Sequence, residues 1–372
     1  MKIAVLGAGM VGRTIAVDLS GDHDVISFDI NESNLEILKA KDISVAKADL
    51  SAYDHYPSML ATFDLVVSAV PGFMGYKTLE AIINAGKNVA DISFFPEDAQ
   101  ALDAFAKEKN VTAIVDCGVA PGMSNLILGY ENERMTVQSF ECMVGGLPKK
   151  RVKPFEYKAP FSPIDVIEEY TRPARYVENG YIVTKPALSD AELIDFEHAG
   201  TLESFNTDGL RSILFTMKHI PDMKEKTLRY PGHIALIGSL MKAGFFDEKE
   251  IEVKGQMVRP IDLTSALLFD QWKAVPGEEE FTLMKIVING TKNGLDNKVE
   301  YFLYDEMDEN QTPSMSRTTG FACTGFVKLI DEKLFTKKGI FPPELVGNDA
   351  ECFEAVMRHL EARNVIYRRR EN

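Results

Sequence analysis

Short apolar runs alternate with stretches of helical spacing through the first third of the chain. Lys2–Leu6, Asp24–Asp29, Ile43–Asp49, Asp64–Val70, Asn88–Ile92 and Val111–Asp116 read as strands. After Gly9, residues Val11, Ile15 and Leu19 recur at four-residue spacing and share one helix face. Leu79, Ile82 and Ile83 do the same before the stop signal Ala85-Gly86. Pro96-Glu97-Asp98 is expected to open a further helix, since proline and acids are favoured in a first turn. Strand–helix alternation of this kind gives a parallel, doubly wound sheet.

The pattern changes near residue 130. Val137–Val144, Tyr181–Thr184, Phe281–Asn289 and Val299–Asp305 read as longer strands, with hairpin signals at Asn289-Gly290 and Asn293-Gly294. Ile261–Ala274 reads as a helix, and helical spacing returns from Ser314, with Phe321, Phe326, Leu329 and Ile330 on one face and Phe353, Val356, Met357 and Leu360 on a last helix. The expected partition is 1–125, completed by the 314–372 helices, and a substrate-binding and dimerisation domain over 126–313. That second domain is α+β, with a mostly antiparallel sheet.

The glycines give the first domain its chemistry. Gly7-Ala8-Gly9-Met10-Val11-Gly12 joins the first strand to the first helix. Gly7 permits the tight turn, Gly9 lets the backbone approach a pyrophosphate, and Gly12 lets the helix pack on the strand; the helix tip then offers N–H groups to the phosphates. Asp29 follows 22 positions after Gly7, at the end of the second strand. A carboxylate there accepts from the ribose hydroxyls and repels a 2′-phosphate, so NAD is the expected cofactor. The first domain is therefore expected to be a Rossmann fold. Further cofactor contacts are expected from Ile30 and, at the other strand ends, from Asp49-Leu50, Ala69-Val70-Pro71, Ser93 and Cys117.

Charge and cysteine content narrow the partners. A net charge of −15 repels nucleic acid and anionic lipid, and Arg368-Arg369-Arg370 reads as a solvated tail. No run approaches the roughly 20 apolar residues of a membrane span. Met1–Leu6 runs straight into a strand, so a cytoplasmic protein is expected. Cys117, Cys142, Cys323 and Cys352 are scattered, with no metal-ligand spacing, and no metal site or disulfide framework is expected.

Beyond the first domain, Asp116–Asn125 runs from a strand end through glycines and a proline to a helix start, and Met123 there is a candidate substrate contact. Glu168–Arg175, Asn206–Arg211 and Thr227–His233 are polar in unusual ways. An arginine fork is a natural ligand for a substrate carboxylate. Taken with Ile167–Arg175 (Ile-Glu-Glu-Tyr-Thr-Arg-Pro-Ala-Arg), Thr207–Arg211, Thr227–His233 and Ser314–Gly320 (Ser-Met-Ser-Arg-Thr-Thr-Gly), the chain resembles the saccharopine dehydrogenase superfamily along nearly its whole length, nearest to the lysine 6-dehydrogenase branch.

The resemblance implies oxidation of a carbon next to nitrogen, with hydride passing to NAD. In the nearest branch L-lysine becomes 2-aminoadipate 6-semialdehyde. Saccharopine and carboxynorspermidine dehydrogenases are the alternatives within the superfamily, and a non-catalytic NAD-binding regulator is the alternative of another class. The amine must lose a proton before its carbon releases hydride. Asp116 is the first candidate for that transfer, with His233 and Asp208 as alternatives and Lys77 behind them. Arg229 is assigned to the substrate α-carboxylate, with Arg172 second, and Thr207 with Asp208 to the α-amino group. A homodimer is expected.

Overall fold

The computed structural model describes residues 1–159, 163–275 and 277–372, and the side chains of 163–165 are outside that description. The chain divides into two compact units: residues 1–137, 290–297 and 315–367, and residues 138–289, 298–314 and 368–372.

The first unit is built on β1 (Lys2–Leu6), β2 (Asp24–Asp29), β3 (Ser44–Lys47), β4 (Leu65–Ser68), β5 (Asn88–Asp91) and β6 (Thr112–Ile114), joined at one edge by Gly339–Phe341. The order across the sheet is the C-terminal strand, β6, β5, β4, β1, β2, β3, and all six pairs are parallel. Parallel strands covered on both faces read as unbroken apolar runs. Ile3, Ala4, Val5 and Leu6 are accordingly fully buried. The doubly wound sheet expected from the alternation is present, and its chain order reverses between β1 and β4, where such sheets open a crevice for ligands.

The helix Met10–Leu19 buries Gly12, Ile15, Ala16 and Leu19. The C-terminal helix Ser314–Asp331 lies against it. Thr324 donates to Asp18 at 2.6 Å, and a Cβ at Gly320 would sit 3.2 Å from the Thr14 methyl. The expected helix follows, but Pro96–Asp98 precedes it rather than forming its first turn: a 3₁₀ helix at Ala99–Leu102 runs into the α-helix Asp103–Glu108. Asp98 caps that 3₁₀ helix by accepting from Gln100 N, because its side chain competes better at a cap than inside a helix.

The second unit carries a nine-stranded sheet. Glu192–Phe196 with Gly200–Asn206, and Gly200–Asn206 with Asp222–Arg229, pair antiparallel, whereas Asp222–Arg229 runs parallel to Thr136–Pro148. The Glu280–Lys292 and Leu295–Glu306 strands turn at Asn293-Gly294, both in the left-handed region. Asn289-Gly290, read as a second hairpin signal, lies inside the strand instead. Its glycine is a place of close backbone approach, since a Cβ there would meet the Thr136 carbonyl oxygen at 2.0 Å.

Candidate functional site

In the first unit the glycine run forms the turn between β1 and the helix Met10–Leu19 that was expected to cradle a pyrophosphate. Gly7 has φ 105° and donates to the Phe28 carbonyl at 2.8 Å; a Cβ on it would lie 2.4 Å from the Ala69 oxygen. A Cβ on Gly12 would lie 2.1 Å from the Gly7 oxygen, whereas one on Gly9 meets nothing within 4 Å. Two glycines therefore serve backbone packing, and the third leaves open space at the tip of the helix Met10–Leu19. Ala8 is buried there, with Met10 and Val11 half-buried.

Asp29 ties the cradle to β2. Its Oδ2 accepts from Ala8 N at 2.8 Å and from the Asn34 amide at 3.4 Å, and its Oδ1 accepts from Asn31 N at 2.7 Å. Arg13, which sequence reasoning did not single out, donates to the Ala8 carbonyl and to Asn34 Oδ1, both at 3.2 Å. Burial lowers its pKa, against the charge of Asp29. Of the other cofactor candidates, Ile30 is exposed, and Asp49 holds Ser51 through its backbone N–H and hydroxyl. Leu50 and Val70 are buried, and Pro71 caps the helix Gly72–Asn84.

At the carboxyl ends of β4 and β5 lies a buried polar knot. Ser93 donates to Asp91 through its backbone N–H at 3.1 Å and its hydroxyl at 2.9 Å, and the Ser93 and Ser68 hydroxyls stand 3.2 Å apart. Burial pushes Asp91 up to about 7 against the pull of those hydroxyls, and the nearby charge of Asp116 adds to the rise. Asp116 follows β6 with φ 53° and is nearly buried. Cys117 is fully buried, and Met123 opens the helix Met123–Asn132 behind Gly122 at φ 141°.

The second unit gathers a different set of groups. Alternate residues of a strand face one way, so Glu225, Thr227 and Arg229 form a single row on Asp222–Arg229. Lys226 turns to the other side and pairs with Glu192 at 2.8 Å. Thr207, just past the neighbouring strand, meets Thr227 hydroxyl to hydroxyl at 3.0 Å and donates to Glu225 at 3.4 Å. The helix Pro163–Thr171 contributes Glu169 and Tyr170.

Arg229 is buried among these groups. It donates to Glu169 at 2.6 Å, to the Tyr170 hydroxyl at 3.1 Å, to the Leu228 carbonyl at 2.9 Å and to the Tyr157 hydroxyl at 3.4 Å, with the Tyr157 ring 4.3 Å from its carbon. These bonds offset the cost of burying the charge. Among the described residues, one N–H of its Nη1 has no partner.

The same row explains His233. Its Nδ1 stands 2.8 Å from the Phe155 carbonyl, which only accepts, so Nδ1 carries the hydrogen and Nε2 accepts from the Tyr170 hydroxyl at 2.9 Å. Burial and the charge of Arg229 lower the imidazole to about 3. With both nitrogens engaged and no proton taken up at neutral pH, His233 bridges Tyr170 to the Phe155 loop, and the proton-transfer role expected of it is revised. Asp208 is revised likewise: Arg175 grips it with two bonds, at 2.9 and 2.8 Å. Arg172 pairs with Glu168 one turn away.

The structure thus brings Thr207 and Arg229 into one polar row. It adds Glu225 and Tyr157, which the sequence reading missed, and Glu169 and Tyr170, which lay in a segment singled out there without a role. Once the strand's bounds are known, the spacing of Glu225, Thr227 and Arg229 is the signal that reveals Glu225. Among the described residues, no group of three or more His, Cys, Asp or Glu is placed to hold a metal ion, and no helix is long and apolar enough to cross a membrane.

Two family models match this chain. That of the saccharopine dehydrogenase NADP binding domain covers residues 3–114, and that of the saccharopine dehydrogenase C-terminal domain covers residues 118–366. The mitochondrial alpha-aminoadipic semialdehyde synthase of Rattus norvegicus is 23% identical over 265 residues, 67% of this chain and 29% of that protein. The match therefore spans less than a third of that relative. The carboxynorspermidine synthase of Vibrio cholerae is 24% identical over 94% of this chain and 93% of its own. Apo saccharopine dehydrogenase (L-Glu forming) from Saccharomyces cerevisiae shares the fold with a TM-score of 0.81 at 17% identity, over 100% of this chain and 99% of that one.

Proposed function

Because the chain belongs to the saccharopine dehydrogenase family, whose members are oxidoreductases that use a nicotinamide dinucleotide, we propose that it oxidises the side-chain amine of an amino acid, with L-lysine as substrate and NAD as cofactor. The observation that supports the substrate class is the buried Arg229, one of whose Nη1 hydrogens has no partner among the described residues and suits a carboxylate oxygen.

The first unit suits the cofactor. Gly9 leaves the helix tip open to a pyrophosphate, and Asp29 is fixed in place to accept from the ribose hydroxyls. A 2′-phosphate would face the Asp29 carboxylate, which favours NAD. Arg13 is the nearby cation that would soften this preference, and the matched domain is named for NADP. When bound, the dinucleotide supplies the acceptor for the hydride leaving the amine-bearing carbon.

Asp116 is proposed to take the proton that the substrate ammonium must shed, leaving the nitrogen lone pair free to form the C=N bond as hydride departs. Water then adds to the imine carbon and ammonia leaves, giving 2-aminoadipate 6-semialdehyde. Asp91 lies close enough to Asp116 for the charge of Asp116 to add to the rise that burial gives Asp91.

A second reading, action on a secondary amine such as carboxynorspermidine, is favoured by the end-to-end match to the Vibrio synthase. The test is NADH formation with L-lysine, saccharopine and carboxynorspermidine, repeated with NADP. Turnover of L-lysine above the other two supports the proposal. Turnover of a secondary amine alone replaces it with the second reading, and turnover of no amine rejects both.

A further inference from the structure

We propose that the carboxyl of Glu225 receives a second, non-reacting amino group of the substrate, seated alongside the Thr207 and Thr227 hydroxyls, so that the chain selects amines carrying two amino groups. The inference rests on the amine-oxidation reading above.

Three acids meet in this part of the second unit, and two of them are satisfied. Glu169 has Arg229 and Asp208 has Arg175. Glu225 is 7% exposed, and among the described residues no lysine, arginine or histidine pairs with it; its one side-chain partner is the Thr207 hydroxyl at 3.4 Å. Buried carboxyls are ordinarily paired with a cation or kept neutral. Burial, followed by the charges of Glu169 and Asp208, pushes Glu225 up to about 8, so its carboxyl is mostly neutral at pH 7.

Gly209 makes room for it. A Cβ at that position would lie 1.2 Å from Glu225 Oε2, and Gly209 is not among the glycines with positive φ. The glycine therefore admits the carboxyl rather than serving a turn. The neighbouring hydroxyls of Thr207 and Thr227 are acceptors as well as donors, and suit the remaining hydrogens of an ammonium.

The amino group held here is not the one oxidised. A carboxylate beside an ammonium keeps it protonated, whereas the reacting nitrogen must lose its proton first. The bound group is thus the substrate's other amine, the α-ammonium in the case of L-lysine. Its arrival ionises Glu225. With a pKa of about 8, roughly 0.9 proton should leave for each ligand bound at pH 7.

Two measurements test this. The first is calorimetric titration of L-lysine into the protein with NADH, in buffers of different ionisation enthalpy, which counts released protons. Close to one is expected for the native chain and none for Glu225→Gln. The second compares kcat/KM for L-lysine with that for 6-aminohexanoate, which lacks the α-amino group. The native protein should prefer L-lysine by about 10- to 100-fold, and Glu225→Gln should bring the two within about threefold. Retained proton release or retained preference in Glu225→Gln overturns the assignment even where amine oxidation itself is found. If Glu225→Gln fails to fold by circular dichroism, Gly209→Ala takes its place, because the added methyl displaces the carboxyl without removing it. Loss of the preference then supports the proposal, and an unchanged preference rejects it.

Discussion

Replacing Asp91 by asparagine should stabilise the first unit above neutral pH. Asp91 is fully buried at the end of β5, and burial raises its pKa from 3.8 to about 7. A carboxyl whose folded pKa lies above its unfolded one contributes stability that is fully present below the unfolded pKa and is lost as pH rises through the folded one. At about 1.4 kcal/mol per unit, a rise of about three units makes the ionised form cost about 4 kcal/mol at pH 8. Asparagine escapes that cost. It keeps one acceptor for the two Ser93 donors and loses the other bond, about 1 kcal/mol. The net gain is about 3 kcal/mol at pH 8, shrinking to almost nothing near pH 5. The sole tryptophan, Trp272, belongs to the second unit. Urea unfolding of the first unit is therefore better followed by mass-spectrometric detection of thiol labelling at Cys117 and Cys323, both fully buried there. Parallel stability profiles for the two proteins across pH 5–8, or a variant weaker than the native chain at pH 8, would show that Asp91 is already ionised and otherwise paid for.

Three further outcomes follow from the same geometry. Asp29→Ala removes the acceptor for Ala8 N and Asn31 N as well as for the ribose, so calorimetry should show NAD affinity falling about 10- to 100-fold and NADP affinity falling less; an equal loss for both would remove Asp29 from cofactor choice. Gly12→Ala forces a methyl to within 2.1 Å of the Gly7 oxygen, and either the helix or the cradle must shift; NAD binding should weaken at least about tenfold, and undiminished binding would contradict the packing role given to Gly12. Tyr170→Phe leaves His233 Nε2 and Arg229 Nε without their shared hydroxyl. A loss of about 2–4 kcal/mol in denaturant unfolding of the second unit, read from Trp272 fluorescence, is expected, and a change under about 0.5 kcal/mol would mean that the chain of bonds carries little stability.

The first unit was legible because its chemistry is local. A parallel strand needs apolar residues on both faces, a phosphate turn needs glycines at fixed offsets, and a ribose acceptor needs an acid at the next strand's end. Each of these signals is carried by near neighbours in sequence; the sheet is present as read, and the roles of Gly7 to Asp29 toward a dinucleotide remain part of the proposal. Pro96 and Asn289-Gly290 misled for the matching reason. The same residues suit a helix start or a hairpin when read locally, but Asp98 wins the cap, and Gly290 is there to let the Thr136 backbone approach.

What tertiary structure alone decided is the partnership of charges in the second unit. Arg229 and Glu169 stand 60 residues apart and meet at 2.6 Å; Arg175 and Asp208 stand 33 apart and meet at 2.8 Å. Residue types announce that a fork or a carboxylate is present. Whether it is spent on a protein partner or kept for a ligand depends on which strands lie side by side and how far water is excluded, and both are set by the packed sheet. That is why Asp208 and Glu225, alike as acids in the sequence, end with opposite fates, one gripped by an arginine and the other buried with no cation beside it among the described residues.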